Sequence, residues 1–281
     1  MKSRKREILG AFDLYLPIIP FFVFALFPFY FMLITSFKND AELIDLEAIP
    51  LIIREGVTLE HYRYVLVETP FLIWFKNTAL VSLLTTMIAL VIALLAAYAL
   101  ARMKFKGVEL FGVGVFITYL VPPSLMFLPL NQVIGKLGLL DSIWSLVITY
   151  PTFLIPFLTW LLMGYFRTIP KEIEECAMID GCSRLNTFIR IVIPVAKPGI
   201  ITAALFAFTA GWHELLYAMT FLTSKSSLVL TIGITSELIR GDVYYWGPLM
   251  AAAVLGALPV VLIYIFFMEY YVSGLTAGAL K

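Results

Sequence analysis

Charge, cysteine and histidine are scarce in this sequence, and each scarcity narrows what it does. Of 281 residues, 14% are charged and 61% are hydrophobic. Soluble domains run at about 25% charged and about 45–50% apolar, so an ordinary water-soluble fold is excluded and a polytopic membrane protein is indicated. The formal net charge is +1, which gives no general attraction to nucleic acid. There are two cysteines, Cys176 and Cys182, and two histidines, His61 and His213. Nothing stands at metal-ligand spacing around the cysteines, which read as small residues in a reducing compartment. A phosphate-binding loop is also lacking: Gly135-Lys136 is followed by Leu137 and has no preceding glycine at the required spacing. ATP chemistry therefore has no place on this chain, and no cofactor or metal is expected on it. Low-complexity segments, an obvious repeat and a second soluble domain are missing too.

What is present is a series of apolar runs. A helix needs about 20 apolar residues to cross the hydrocarbon core. Six runs qualify, at about Phe12 to Thr35, Thr78 to Ala101, Val108 to Leu130, Ile143 to Phe166, Gly199 to Leu222 and Trp246 to Val272. The first is longer than the core of a signal peptide and has no small-residue cleavage site after it, so it reads as a retained span. Prolines interrupt the third (Pro122, Pro123), fourth (Pro151, Pro156) and sixth (Pro259) runs. Membrane helices tolerate this where neighbours or water satisfy the freed carbonyls. The second run carries Ala89, Ala93, Ala96, Ala97 and Ala99, which permit close helix contact.

Basic residues set an expected orientation. Lys2, Arg4, Lys5, Arg6, Arg102, Lys104, Lys106, the five of the stretch described next, and Lys281 fall on one side. Positive residues favour the cytoplasm, so both termini are expected inside. The segment 36–71 then becomes a first periplasmic loop, and 223–245 a third. Within the first, Thr58 is an expected cap for a short surface helix with Leu59, Tyr62, Val65 and Leu66 on its apolar side. Arg102 to Gly107 reads as a tight cytoplasmic hairpin.

Between the fourth and fifth runs lies a polar island, 167–199. It holds five basic residues (Arg167, Lys171, Arg184, Arg190, Lys197) and four acidic ones (Glu172, Glu174, Glu175, Asp180). Thr168 is an expected N-cap with Pro170 in the first turn. Glu172, Glu174 and Glu175 suit a helix N-terminus. Ile173, Ala177 and Met178 make an expected apolar face, flanked by Ile169 and Cys176. Gly181 breaks the helix, Ser183 caps a second one, and Pro194 and Pro198 are expected to end it. Phe188, Ile191 and Val192 point one way along this second helix, and Arg184 and Arg190 another. Such a helix–turn–helix with exposed apolar residues predicts a protein partner.

The spacing Glu175-Cys-Ala177, three residues, Gly181, nine residues, then Ile191-Val-Ile-Pro194 resembles the EAA loop of binding-protein-dependent ABC importer permeases. Cys176 and Ile193 depart from the usual alanine and leucine but keep size or hydrophobicity. Trp74, Asn77, Thr78, Pro170 and the closing Gly274-Leu-Thr-Ala-Gly278-Ala-Leu resemble the smaller, maltose-type carbohydrate permease subunit. The resemblance spans nearly the whole chain. It implies a single all-α permease domain over 1–281 with six transmembrane helices and a cytoplasmic helix–turn–helix coupling loop. It implies a second permease, two ATP-binding subunits carrying ATP and Mg2+, and an extracytoplasmic solute-binding protein that the third outer loop helps to empty of its sugar. It also implies residence in the bacterial or archaeal cytoplasmic membrane. Glu175, Ala177, Asp180, Gly181, Ile191 and Pro194 become the expected ATPase-coupling residues, with Glu175 and Asp180 making charge-assisted contacts.

Ionisable residues inside a span are costly and point to function. The fifth run offers Trp212, His213, Glu214 and Tyr217, an aromatic and hydrogen-bonding set suited to a sugar; an interfacial belt is the competing reading. Asn131 and Gln132 are further candidates for the substrate pathway, while Tyr119 and Tyr150 read as core aromatics. Two other classes stay open on the residues alone. An ion-coupled secondary transporter would need carboxylates within spans, where Glu214 is the single candidate. A membrane enzyme would need a nucleophile or metal constellation, which a His213–Glu214 pair does not supply. Within the resembled family, a polyol, glycerol-phosphate-like or other non-sugar substrate, or an aminosugar, stays open beside a sugar.

Overall fold

The computed structural model describes residues 15–241 and 243–276. The basic N-terminal residues, Phe12 and Asp13 of the first run, Asp242, Lys281 and the end of the closing signature including Gly278 lie outside the described residues. The described chain is helical apart from one two-stranded hairpin. Among the described residues four helices are long and apolar enough to cross a membrane, and up to six spans result if two bent pairs each count as one. Their outer faces carry exposed Phe21, Phe24, Leu110 and Phe266, at 76%, 82%, 75% and 77% exposure. Water would make such surfaces untenable, whereas lipid is as apolar as they are.

Backbone contacts divide the chain into two units, Met1–Phe71 with Ile234–Ala257, and Leu72–Gly233 with Leu258–Lys281. In the first unit, α1 (Ile18–Phe37) is a nearly uniform apolar cylinder. It is followed by α2 (Asp40–Ile44), which Asn39 caps by accepting from the Glu42 amide at 2.8 Å. Glu42 is buried against Lys38 at 2.9 Å and also accepts from the Arg54 and Glu55 amides. The Lys38 ammonium holds its carboxyl below the usual carboxylate value. A buried pair of this kind needs such extra hydrogen bonds to offset desolvation.

The expected surface helix forms as α3 (Glu60–Arg63), continued by a π-helical turn at Tyr64–Glu68. Thr58 is not its N-cap, a position Leu59 takes without a side-chain bond, but it accepts from the Glu60 amide at 3.1 Å just ahead of the helix. The expected apolar side is corrected: Leu59 is exposed, while His61 and Val65 are the buried residues. The ring of His61 bonds the Lys38 carbonyl at 2.7 Å, so its polar edge replaces the apolar contact that spacing alone predicts. Strands β1 (Ile239–Arg240) and β2 (Val243–Tyr244) pair antiparallel through a turn at Gly241.

The second unit is built on α4 (Phe71–Arg102), which contains neither glycine nor proline over 32 residues. Ala89, Ala93 and Ala97 recur every four residues and are fully buried, the close-packing face that their size permits. After a turn at Gly107 come α5 (Val108–Leu120) and α6 (Pro123–Lys136). The third run is therefore not one straight span: it bends by 93° at Val121-Pro122. Two consecutive prolines remove amide donors and push the preceding residue out of the helical region.

Helix α7 (Ile143–Thr149) leads into α8 (Pro151–Thr168), whose Leu154, Leu158, Leu162 and Phe166 form the core stripe. The polar island supplies α9 (Lys171–Ile179), α10 (Arg184–Thr187), a π-helical turn at Phe188–Val192 and α11 (Ile193–Val195). Then come α12 (Lys197–His213), α13 (Leu216–Phe221) and α14 (Leu230–Leu238). The fifth run is thus not one continuous helix, because the backbone turns extended at Glu214. The last helix, α15, runs Trp246–Thr276 with Pro259 inside it.

Candidate functional site

The polar island folds as the spacing predicts at its turn and differs at its ends. Gly181 takes φ +91°, a left-handed conformation costly for any residue with a Cβ. Around it the Cys182 amide donates to the Ala177 carbonyl at 3.0 Å and the Gly181 amide to that of Met178 at 3.1 Å. These are the two crossed bonds of a Schellman cap. Ser183 then accepts from the Asn186 amide at 3.3 Å and starts α10.

Thr168, expected as the N-cap of α9, belongs to the end of α8 and donates to the Tyr165 carbonyl. Pro170 occupies the cap position, with no side-chain cap bond. Pro194 and Pro198 do not terminate a helix either; each stands in the first turn of the next one. Pro194 lacks an amide and crowds the carbonyl four residues back. The π-helical turn Phe188–Val192 just before it widens the spiral where that crowding falls.

The expected apolar face of α9 is also rearranged. Ala177 is buried, but Ile173 and Met178 are exposed. The inward residue beside Ala177 is Glu174, at 5% exposure. Its carboxylate accepts from Arg102 Nε at 2.6 Å and from the Tyr98 hydroxyl at 2.9 Å. Arg102 Nη2 also donates to the Ile169 carbonyl at 2.7 Å. By position alone Glu174 is one of three helix-terminal acids, with Glu172 and Glu175. The available signal was its place three residues before Ala177, on the same helix face.

Glu175, Asp180, Gly181 and Pro194 are exposed and Ile191 is half-buried. With Ile179 at 85%, Leu185 at 62% and Ile189 at 51% exposure, they make a surface of mixed charge and apolar character.

The second candidate set is dispersed. Trp212 is buried between Phe75, edge-on at 5.5 Å between ring centroids, and Phe208 at 5.3 Å. His213 is exposed. Glu214 accepts from the Tyr150 hydroxyl at 2.9 Å and from the Tyr217 and Ala218 amides at 2.9 and 3.1 Å. It therefore acts as the N-terminal acceptor of α13, which is why the helix breaks there. Tyr150 is a buried aromatic, as expected, but its hydroxyl is one of the groups that hold Glu214. Tyr217 lines a cavity of about 330 Å³ with Thr118, Tyr119, Thr152, Phe157 and Phe206. The other members of the set do not line it. Asn131 donates to the Thr220 carbonyl at 3.2 Å, and Gln132 is exposed.

A third polar cluster holds the segment Thr223–Leu230. On one side Asp141, in a left-handed conformation with φ 57°, accepts from the Thr223 and Ser224 amides and from the Ser224 and Ser227 hydroxyls. Those donors, the Ser224 hydroxyl foremost, hold its carboxyl well below the usual carboxylate range. On the other side Trp74 Nε1 donates to the Lys225 carbonyl at 3.0 Å, and Asn77 Nδ2 to those of Ser226 and Leu228 at 3.0 and 2.9 Å. Thr78 accepts from the Leu230 amide at 2.7 Å. Asp141 escaped sequence reasoning because its partners lie more than 80 residues away. No group of three or more potential metal ligands occurs among the described residues.

Long apolar helices, interrupted spans and a surface helix–turn–helix define an all-α polytopic membrane protein. Residues 89–276 match the family described as "Binding-protein-dependent transport system inner membrane component". The chain is 38% identical over 283 residues to the inner membrane ABC transporter permease protein YcjP of Escherichia coli, covering 100% of both chains. It is 34% identical to the trehalose/maltose transport system permease protein MalG of Thermococcus litoralis, covering 99% of each. It is 32% identical to the diacetylchitobiose uptake system permease protein DasC of Streptomyces coelicolor, also covering 99% of each. Its fold is similar to a chain in the crystal structure of a bacterial ABC transporter involved in the import of the acidic polysaccharide alginate. The TM-score there is 0.78 at 23% identity, over 95% of this chain and 98% of that one. The protein therefore belongs to the family of binding-protein-dependent transport system inner membrane components. It is a non-catalytic permease subunit of an ABC-type importer and a multi-pass inner-membrane protein, related to MalG-like subunits.

Proposed function

We propose that this chain forms half of the translocation pathway of a sugar importer and that residues 167–199 are its cytoplasmic coupling loop. The observation that carries the reading is the helix–turn–helix at Lys171–Val195. It holds the EAA spacing around a left-handed Gly181 and leaves Glu175 and Asp180 exposed. Six spans with both termini in the cytoplasm follow from the basic-residue distribution. The chain then reads as one permease domain, with 36–71 and 223–245 as periplasmic loops. Its partners are a second permease, two ATP-binding subunits holding ATP and Mg2+, and an extracytoplasmic solute-binding protein. Closure of the ATPase pair moves the coupling loop, and the permease pair alternates between inward- and outward-facing forms.

Glu175, Ala177, Asp180, Gly181, Ile191 and Pro194 are the coupling residues in this reading. Ala177 serves as an inward anchor, since it is buried. Of the pathway residues, Tyr217 is the one beside a cavity. Glu214 supports that residue from behind by accepting from the Tyr217 amide, while Trp212 and Asn131 make their contacts away from the cavity lining. His213 and Gln132 are exposed. The sugar substrate is carried over from the trehalose/maltose and diacetylchitobiose permeases named above.

Two experiments test this reading. The exposed Cys176 is expected to react with a membrane-impermeant maleimide in inverted vesicles and to be protected in intact spheroplasts; the reverse pattern overturns the orientation. The complete importer in proteoliposomes, with its binding protein and ATP, is expected to accumulate an oligosaccharide. Glu175→Lys is expected to abolish that uptake while the protein remains inserted. Uptake of polyols alone, or full uptake by the variant, overturns the substrate or the coupling assignment respectively.

A further inference from the structure

Helix α9 is joined to the membrane helices by short links. On one side only Ile169 and Pro170, both with extended ψ near 130°, separate it from α8. On the other side Ala196 interrupts the helix between α11 and α12, and the segment Arg184–Val195 stands at 79° to α12 across the break. Breaks of this kind interrupt the continuous helix, so the covalent chain alone does not fix the helix–turn–helix against the spans. Something else must hold it, and the second unit shows what does.

We propose that Arg102, Tyr98 and Glu174 are positioning residues of the transport cycle, forming the joint through which the helix–turn–helix drives α4. The proposal rests on reading the helix–turn–helix as the ATPase contact. Arg102 and Tyr98 are one turn apart at the end of α4, so both reach the same carboxylate. Together they occupy both Glu174 oxygens, and the second arm of Arg102 takes the Ile169 carbonyl at the end of α8. The side chains of Arg102 and Glu174 are 6% and 7% exposed. The ring of Tyr98 lies 4.5 Å from that of Phe188 and 6.2 Å from that of Phe166, between centroids. One turn of α4 thereby grips α8, α9 and the turn after α10.

A buried ion pair is a poor way to gain stability, because desolvation offsets most of the attraction, but removing one partner is strongly unfavourable. Such a pair tolerates few geometries, which is the property a joint needs. Helix α4 suits the role of a strut. With no glycine or proline in 32 residues it spans about 48 Å at 1.5 Å per residue. Its opposite end holds Thr223–Leu230 through Trp74, Asn77 and Thr78. A displacement of the helix–turn–helix is therefore transmitted along one stiff element to the segment at the far end.

The test uses the complete importer in proteoliposomes and reads two quantities on the same vesicles: solute imported and ATP hydrolysed in the presence of loaded binding protein. Glu174→Gln keeps size and removes the charge, and is expected to lower import per ATP about tenfold. Tyr98→Phe removes one hydroxyl from an otherwise intact core and is expected to lower the ratio roughly threefold. Tyr98→Phe carries the test if Glu174→Gln fails to assemble. A cross-link from Cys176 to the ATPase subunit, formed in the wild type and retained in both variants, shows that the contact itself survives. An unchanged ratio, or import and hydrolysis falling in equal proportion, overturns the joint. Absence of the cross-link in the wild type overturns the underlying assignment of the ATPase contact instead.

Discussion

The helix–turn–helix and the region around Glu214 and Asp141 are both islands of polarity in an apolar chain, but they use their charges in opposite ways. Glu214 and Asp141 face inward to neighbours. Each accepts several hydrogen bonds from distant or following backbone and hydroxyl donors. Glu175 and Asp180 face out of the fold on a surface shared with Ile179 and Leu185. A carboxylate whose acceptor sites are filled internally shapes the fold, and one left exposed beside apolar side chains is available to a partner. Glu174 belongs with the first kind although it is adjacent to Glu175 in sequence.

That contrast predicts large stability effects on one side and small ones on the other. The largest is expected for Glu214→Ala. It strips the buried Tyr150 hydroxyl of its acceptor and leaves the Tyr217 and Ala218 amides uncapped. The cost is about 3 kcal/mol, read as a lowered thermal midpoint of the detergent-purified protein. Glu214→Gln keeps an acceptor and is expected to lose less. Equal midpoints for wild type and Glu214→Ala would erase the contrast from its internal side.

Gly233→Ala comes next. A Cβ at this position of α14 would run into the indole of Trp74, which is buried and held by the Lys225 carbonyl. Overpacking of this sort costs about 2 kcal/mol, checked by the same melting measurement. Trp74→Phe in the same chain is expected to restore part of the loss by opening space, at the expense of the Lys225 bond.

Asp141→Asn tests the charge rather than the shape, since asparagine also accepts the left-handed backbone found there. The expected result is protection of the Thr223 and Ser224 amides against hydrogen exchange that is lower by about tenfold. The pH dependence has a definite sign. Asp141 titrates well below its ordinary value in the fold, so its contribution is complete above the unfolded value of about 3.9. It is lost as pH falls through the lower folded value. Protection factors in this segment are therefore expected to stay level from about pH 5 to 8, and a fall within that window would contradict the internal role.

What the sequence disclosed follows the range of the physical signal. Gly181, Ser183 and the consecutive prolines at 122 and 123 act on their own backbone, and each break or cap lies where spacing predicts it. The apolar runs are legible because lipid imposes length and hydrophobicity on every residue of a span. Apart from Pro194 and Pro198, which open the next helix instead of ending one, the errors occur where a distant partner decides. Thr168, the expected cap of α9, instead finishes α8, and Arg102 holds the carbonyl of Ile169 just after it. The carboxylate of Glu214 is held by Tyr150, 64 residues away, and the burial of Glu174 depends on Tyr98 and Arg102, more than 70 residues away. His61 replaced Leu59 on the inner face of α3 because the Lys38 carbonyl needed a partner. Pairings across such separations leave no periodicity to read.

The smallest stability change, and the sharpest contrast, is expected at Glu175→Gln. The side chain is exposed and keeps its size, so thermal stability should shift by no more than about 0.5 kcal/mol. A charge-assisted contact to a partner would nonetheless be replaced by a neutral one of roughly half the strength. In the reconstituted importer, solute uptake is expected to fall severalfold while the melting midpoint of the isolated chain is unchanged. Glu214→Ala should show the converse on the isolated chain, with a large loss of midpoint before any partner is added. Should Glu175→Gln instead melt early, or transport at the wild-type rate, the division between inward-facing and outward-facing carboxylates would not describe this protein. An early melt would place Glu175 with its neighbour Glu174 as part of the fold, and wild-type transport would remove it from the partner contact.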